Sequence, residues 1–330
     1  MMEQTFKIVI DTKGGDNGPS VMVKGATLAL ERFPRLKVLL AGNEEEIREE
    51  CDCLHLPADR VEILDAPGEI TNFDNPADAM YQKTDSSMLL SLDTLSSRDD
   101  LVGMITCGNT GVALTGAMRY LSGEQRLRPA LAAILPSQDG NFTCLVDTGA
   151  TIDCTAAMLH HFAVLGSDFM RQMYGVEHPK VALLSNGTEP MKGNKLVKET
   201  YPLLSADERL NFTGNVEGSN ALSGVCDVLV CDGFAGNQVL KVTEGTAKRM
   251  MTDIMRYARR TNSAEIGELF THLMGVYDIG SLGGGIILGV TKPVIKARGN
   301  ADEKAVVSVA EMLLNMAEHK AVFDKSRNHI

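Results

Sequence analysis

The chain has 330 residues, 44% hydrophobic and 23% charged, enough to bury a sizeable core without disulfide or metal staples. Thirty-two Lys and Arg against 43 Asp and Glu give a net charge of −11, which argues against nucleic acid as a partner, and no segment approaches the roughly 18 apolar residues of a spanning helix. Seven cysteines, an odd number with no CxxC pair and no zinc-like spacing to the seven histidines, suggest a reduced, cytoplasmic chain without a metal site, and Met1–Thr5 offers no apolar signal stretch.

Short aliphatic runs predict strands at 6–11 (FKIVID), 36–42 (LKVLLAG), 61–64 (VEIL), 101–106 (LVGMIT), 130–136 (ALAAILP) and 142–147 (FTCLVD). Further on, KVALLS (180–185), DVLVCD (227–232) and PVIKA (293–297) read the same way, with helical spacing between the runs. Their near-continuous apolar character suits strands covered on both faces, so the fold class is α/β, a three-layer α/β/α arrangement around a mostly parallel sheet. No internal repeat or Pro/Ser-rich linker cuts the chain, which is read as one α/β catalytic domain over 1–330.

The stretch from Lys241 to Arg260 has six basic and two acidic residues, a local +4. Ala247, Met251, Ile254 and Ala258 fall at helical spacing, as do Ile266, Leu269, Phe270 and Leu273 after a polar TNSAE turn. A helical hairpin is expected at about 240–277. Lys248, Arg249, Arg256, Arg259 and Arg260 would suit docking of an acidic protein or an anionic membrane surface, while core packing or dimerisation explains the same pattern equally well.

The segments just past the strands carry more information. DTKGGDNGP (11–19), CGNTG (107–111), DTGA (147–150), SNGTEPMKGN (185–194), GNVEG (214–218) and CDGFAGN (231–237) put glycine and small polar residues where parallel strands end. Open α/β sheets place ligands there, although any one such loop is explained by a tight turn. There is no GxxxxGK[ST], GxSxG or HExxH, and Gly283, Gly285 and Gly289 of SLGGGIILG miss the dinucleotide fingerprint by one position.

CGNTG precedes a helical pattern, so its amides and the Thr110 hydroxyl suit an oxyanion at a helix N-terminus, whereas Asn109 or Thr110 acting only as a cap is the plainer alternative. Cys107, with no partner His in view, reads as a small buried residue. Lys192, set among glycines, can offer a point charge to phosphate or a thioester carbonyl. Asp232 at a strand end suits proton transfer. A turn Asp and a solvated Lys remain the bland readings of both. Lys296 and Arg298 just past another strand would favour an anionic substrate.

Taken together and in order, DTKGGDNGP, CGNTGVALTGAM, RPALAAILP, DTGATIDC, NGTEPMKGNKL, NFTGNVEG, CDGFAGNQVLK and PVIKARG resemble the PlsX-type phosphate acyltransferases of bacterial phospholipid synthesis, from about residue 6 to 320. The resemblance implies a homodimeric enzyme in which inorganic phosphate attacks the thioester of a long-chain acyl–acyl carrier protein, giving acyl phosphate for a membrane-embedded acyltransferase and so for phosphatidic acid. It implies a fold like the isocitrate/isopropylmalate dehydrogenase and phosphotransacetylase group with an added helical hairpin, no cofactor, and a cytoplasmic enzyme with peripheral membrane contact. The lysine of the KGN block maps onto Lys192 and the aspartate of the DGF block onto Asp232, the expected catalytic pair. Gly14, Gly15, Asp16, Asn109, Thr110, Gly111, Asn194, Asn237 and Lys296 are the expected phosphate- and substrate-binding residues. The chain departs from the family at Thr12, Lys13, Thr148, Thr151, Ser185, Asn186, Leu282, Gly285 and Arg298. These leave two alternatives: a paralogue taking acyl-CoA or another acyl thioester, and a non-catalytic scaffold for membrane or protein binding.

Overall fold

The computed structural model describes residues 5–123, 127–138, 140–277 and 284–319, so Leu282 and Gly283 lie outside the described residues. In chain order the first elements are β1 (Phe6–Asp11), α1 (Gly18–Arg32), β2 (Leu36–Gly42), α2 (Glu44–Cys53), β3 (Val61–Asp65), α3 (Pro76–Gln82), α4 (Ser87–Ser97), β4 (Leu101–Thr106) and α5 (Thr110–Tyr120). Next come β5 (Ala130–Pro136), β6 (Phe142–Val146), α6 (Ala156–Tyr174), β7 (Lys180–Ser185), α7 (Lys195–Ala206), β8 (Asn211–Glu217) and β9 (Val228–Val230). The last are α8 (Gly233–Thr261), α9 (Ala264–Tyr277), β10 (Gly285–Leu288), β11 (Val294–Lys296) and α10 (Glu303–Glu318).

Packing divides the chain into two compact units, Met1–Pro129 with Gly283–Ile330, and Ala130–Leu282. In the first unit the strand order is β3-β2-β1-β4-β11-β10, parallel except where β10 runs against β11. The inner strands are buried nearly end to end, with Ile8, Val9 and Ile10 of β1 and Val38 and Leu40 of β2 fully covered, while the edge strand β3 has no fully buried residue. Helices α1, α2 and α10 pack on one another, as do α3, α4 and α5, and both sets cover the sheet. Close approach is built in, since a Cβ on Gly103 would lie 2.7 Å from Leu313 Cδ2. From β1 the chain turns outward to β2 and β3, then returns on the other side of β1 as β4. The carboxyl ends of β1 and β4 therefore flank a topological switch point, the place where such sheets take ligands.

The second unit orders its strands β5-β6-β9-β7-β8, with β5 antiparallel to β6 and the rest parallel. Helix α6 packs on α7 and on β6 and β9. Leu135, Leu145, Ala182, Leu229 and Cys231 form a core on which Leu184, Ala235 and Val239 rest. Both units thus carry the α/β architecture read from the strand pattern.

Two local expectations change. GNVEG is no loop: it continues β8 to Glu217, with Gly214 at φ +102° beside a register shift between Val181 and Ala182. Its alternation of half-exposed residues on an edge strand hid the strand from a search for buried runs. Within SLGGGIILG, Gly285–Leu288 form β10, which pairs Ile286 with Ile295. The basic helix starts at Gly233, well before 240, because Asp232 caps it. Helix α9 packs against α8 as the hairpin pattern predicts. No helix among the described residues is long and apolar enough to cross a membrane.

Candidate active site

In the first unit the β1 loop is organised around Asp11, whose carboxylate is fully buried. It accepts from the Ser87 hydroxyl, from Thr106 Oγ1 at 2.7 Å and from the Lys13 amide at 3.3 Å. Burial pushes its carboxyl up from the ordinary range, against the pull of these donors. Thr106 Oγ1 in turn accepts from the Gly108 amide at 3.1 Å, so Asp11 ties the loops after β1 and β4 together. The two backbones touch at Gly14, where a Cβ would sit 2.6 Å from both Asp11 Oδ2 and the Gly108 nitrogen. The loop after β11 joins them: the Asp16 amide donates to Gly299 O at 2.7 Å, and Asn17 Nδ2 to Ala301 O at 3.1 Å.

Asn109 is the N-cap of α5. Its Oδ1 accepts from the Gly111 and Val112 amides at 3.0 and 3.2 Å, and its Nδ2 donates to Thr71 O and Asp74 O, both at 3.1 Å. The Asn109 side chain therefore holds the 71–74 segment against this loop, and the Asn72 side chain reaches Asp16 Oδ1 at 3.2 Å. Lys296 ends β11 opposite Thr106 on β4, close enough for its charge to act on Cys107. Cys107 is buried, and its thiol is pushed up to about 12 by burial and by the Asp11 charge, which fits a packed side chain and not a nucleophile. Two of the departures have plain structural uses: Thr12 Oγ1 bonds Ala41 O at 2.8 Å, and Lys13 Nζ reaches Pro67 O at 3.2 Å.

The second unit repeats the device. Asp147, just past β6 and fully buried, accepts through Oδ1 from the amides of Leu131, Gly149 and Ala150 and through Oδ2 from Thr151 at 2.7 Å. Burial raises its carboxyl too, and the four amides oppose that. Thr151 O accepts the Gly233 amide at 2.8 Å, and Asn237 Nδ2 donates to Thr148 O at 3.2 Å, so this loop seats the first turn of α8. A Cβ on Gly233 would stand 2.7 Å from Thr151 O and 2.9 Å from Asp147 Oδ2. Thr148 Oγ1, like Thr12, bonds the neighbouring strand, at Leu131 O.

Asp232 thereby becomes the N-cap of α8, its Oδ1 accepting from Ala235 N at 2.9 Å. Asn194 caps α7 in the same way, on Val197 N at 2.9 Å. Between these caps, at the carboxyl ends of the adjacent parallel strands β7 and β9, lies a pocket of about 440 Å³. Ser185, Asn186, Gly193, Asn194 and Asp232 give it a polar side; Leu159, Leu183, Leu184, Val197 and Ala235 give it an apolar one. Ser185 Oγ is buried there with no hydrogen-bond partner. Lys192 is exposed on the preceding turn, where its amide bonds Glu189 O at 3.0 Å and its stem lies against Gly187.

Gly14, Gly15, Asp16, Asn109, Thr110, Gly111 and Lys296 lie where β1, β4 and β11 end in the first unit; in the second, Asn194 and Asp232 line the pocket, while Lys192 and Asn237 are not among its lining residues. The basic residues Lys248, Arg249, Arg256, Arg259 and Arg260 are exposed along α8, with Arg249 and Arg256 both on Asp253 and Arg260 over the Tyr257 ring. Asp11 and Asp147, which organise these loops, were not singled out from the sequence. Their signal was available: each is a carboxylate just at the end of a largely apolar strand and followed by Thr, where a charge must be buried and therefore partnered.

A sequence model of a family described as "Fatty acid synthesis protein" matches residues 6–322. A phosphate acyltransferase of Streptococcus pneumoniae (strain ATCC 700669 / Spain 23F-1) is 37% identical over 97% of this chain and 98% of its own. Among solved structures, a phosphotransacetylase from Streptococcus pyogenes superposes with a TM-score of 0.62 at 18% identity, covering 96% of this chain and 94% of its own. A 4-hydroxythreonine-4-phosphate dehydrogenase from Klebsiella pneumoniae gives 0.54 at 12% identity over 95% and 100%. At such identities these two structures speak for the fold alone.

Proposed function

This chain belongs to the phosphate acyltransferase family, and on that premise we propose that it moves a fatty acyl group from acyl–acyl carrier protein to inorganic phosphate, giving acyl phosphate for phosphatidic acid synthesis. Acyl transfer to phosphate in lipid synthesis is the family's chemistry; the carrier-protein donor and the onward route are this proposal's own. The observation that carries it is the meeting of Asp232 with an apolar bed at the ends of β7 and β9.

A phosphate oxygen attacks the thioester carbonyl, the new C–O bond forms as the C–S bond breaks, and the proton that phosphate gives up ends on the departing thiol. Such a reaction needs positioning and charge neutralisation more than a covalent nucleophile. The GNTG amides and Lys192 hold phosphate or the developing oxyanion, and Asp232 carries the proton to sulfur. The family match runs through both units, which supports treating 1–330 as one catalytic domain.

The exposed basic face of α8 complements an acidic carrier protein or an anionic membrane surface. A homodimer, a cytoplasmic location and peripheral membrane contact complete the proposal. One observation favours a second donor: the departures Ser185 and Asn186 line the pocket, which suits a paralogue using acyl-CoA.

The test is phosphate-dependent thiol release from a panel of acyl thioesters, with Lys192→Ala and Asp232→Ala alongside. Release from long-chain acyl–acyl carrier protein, lost in both variants, is the expected result. Wild-type kcat/KM in either variant overturns that residue's role, release from acyl-CoA alone selects the paralogue, and no release from any donor selects the scaffold.

A further inference from the structure

We infer that the pocket between α6, β7, α7 and the start of α8 receives the acyl chain of the thioester, with the carbonyl at the Asp232 side and the first methylenes between Leu159, Leu183, Leu184, Val197 and Ala235. The inference rests on the proposed role of Asp232 at the thioester.

The lining itself selects the occupant. At about 440 Å³ the pocket falls within the range of roughly 300–1,000 Å³ usual for small-molecule sites. No Lys, Arg or His is among its lining residues, so a phosphate or nucleotide inside it would have no cation to pair with. No aromatic side chain lines it, so a base has nothing to stack on. Of the helix-terminal amides that border it, those of Val197 and Ala235 are taken by the Asn194 and Asp232 side chains. What remains is a cavity with one polar end and aliphatic walls contributed by different elements, the shape of an amphiphile with an uncharged tail. Leu159 and Leu183 are almost wholly buried and Val197 is 8% exposed, so these walls are rigid parts of the core and would set a limit on tail length.

Chain-length dependence tests this. Burying one methylene is worth about fourfold in binding, so kcat/KM on a series of saturated acyl thioesters rises by about that factor per carbon until the pocket is full, then levels. Ala235→Leu adds about three carbons of volume to one wall, and Val197→Phe adds a ring to another. In each, the levelling point moves to chains shorter by about three carbons, and the long-to-short ratio of kcat/KM falls at least tenfold. Leu184→Ala moves the point toward longer chains. The ratio within one variant cancels general damage to the fold or to Asp232. A uniform fall across all lengths, or a flat series in the wild type, overturns the inference.

Direct binding of cis-parinaric acid methyl ester, a fluorescent uncharged acyl chain, separates this from failure of the functional reading. If no donor is turned over, the proposed function fails, yet a Kd weakened tenfold by Ala235→Leu still places the chain in this pocket. A Kd unchanged in both filling variants removes it.

Discussion

Gly14→Ala probes the crossing of the β1 and β4 loops directly. The added Cβ would lie 2.6 Å from Asp11 Oδ2, 2.6 Å from the Gly108 nitrogen and 2.9 Å from the Gly108 Cα, whereas ordinary contact begins near 3.4 Å. One of the two loops must move about 0.8 Å. Neither can do so cheaply, because Asp11 is fixed by Ser87, Thr106 and the Lys13 amide, and Gly108 by Thr106. Overpacking of this kind costs about 1–3 kcal/mol in stability. Displacing positioning groups by about 1 Å costs on the order of 10²-fold in rate. The expected result is a kcat/KM for phosphate lowered about 10²-fold, measured by phosphate-dependent thiol release, with Tm lowered by a few degrees. Gly245→Ala is the control: nothing lies within 4 Å of its Cβ, and a mid-helix Gly to Ala change gains about 1 kcal/mol. A Gly14→Ala protein with wild-type phosphate kinetics would refute the assignment of this loop crossing to phosphate.

Asp147→Asn keeps an acceptor for Leu131, Gly149 and Ala150 but turns an amide NH2 toward the Thr151 N–H; leaving that donor unmet costs about 1–3 kcal/mol, and thermal unfolding should show the loss together with a kcat at least tenfold down as Asp232 shifts with α8. The half-buried His161, whose buried Nε2 has no partner, has its ring pushed down to about 4 by burial and by neighbouring His160. A lowered folded value means that the unfolded chain takes up a proton which the fold refuses. Stability is therefore full above about 6.5 and lost as pH falls toward about 4, by about 3 kcal/mol at most, and His161→Phe should flatten that limb of a Tm-against-pH curve. Reversing Lys248, Arg259 and Arg260 to Glu should lower kcat/KM for acyl–acyl carrier protein and its salt dependence while leaving acyl-CoA turnover unchanged; equal effects on both donors would remove α8 from carrier-protein docking.

Much of the fold is written in the apolar runs. β1, β2, β4, β5 and β7 fall on the predicted residues, because strands covered on both faces leave an unbroken aliphatic signature. β8 was illegible for the opposite reason: an edge strand with Gly214 at its bulge looks like a turn. Lys192 and Asp232 could be picked out as types, but what Asp232 does locally could not. Its capping of Ala235 depends on Asp147 seating Gly233 from far back in the chain, a contact no local pattern encodes. The same holds for Asn109, whose side chain spends its donors on Thr71 and Asp74 across the unit.

The depth at which the thiols lie has a practical side. Cys107, Cys144 and Cys226 are pushed up to about 12 and Cys231 well above its usual value, all four buried, while Cys53 alone is exposed and Cys51 and Cys154 are half-covered. A chromogenic disulfide reagent added to the native protein should therefore consume only its few accessible sulfhydryls and then fall silent. Every later increment of colour would be the sulfhydryl released from substrate, so turnover can be followed continuously in one cuvette. Mild oxidants and alkylating agents should likewise spare the buried cysteines, Cys107 among the β1 and β4 loops included.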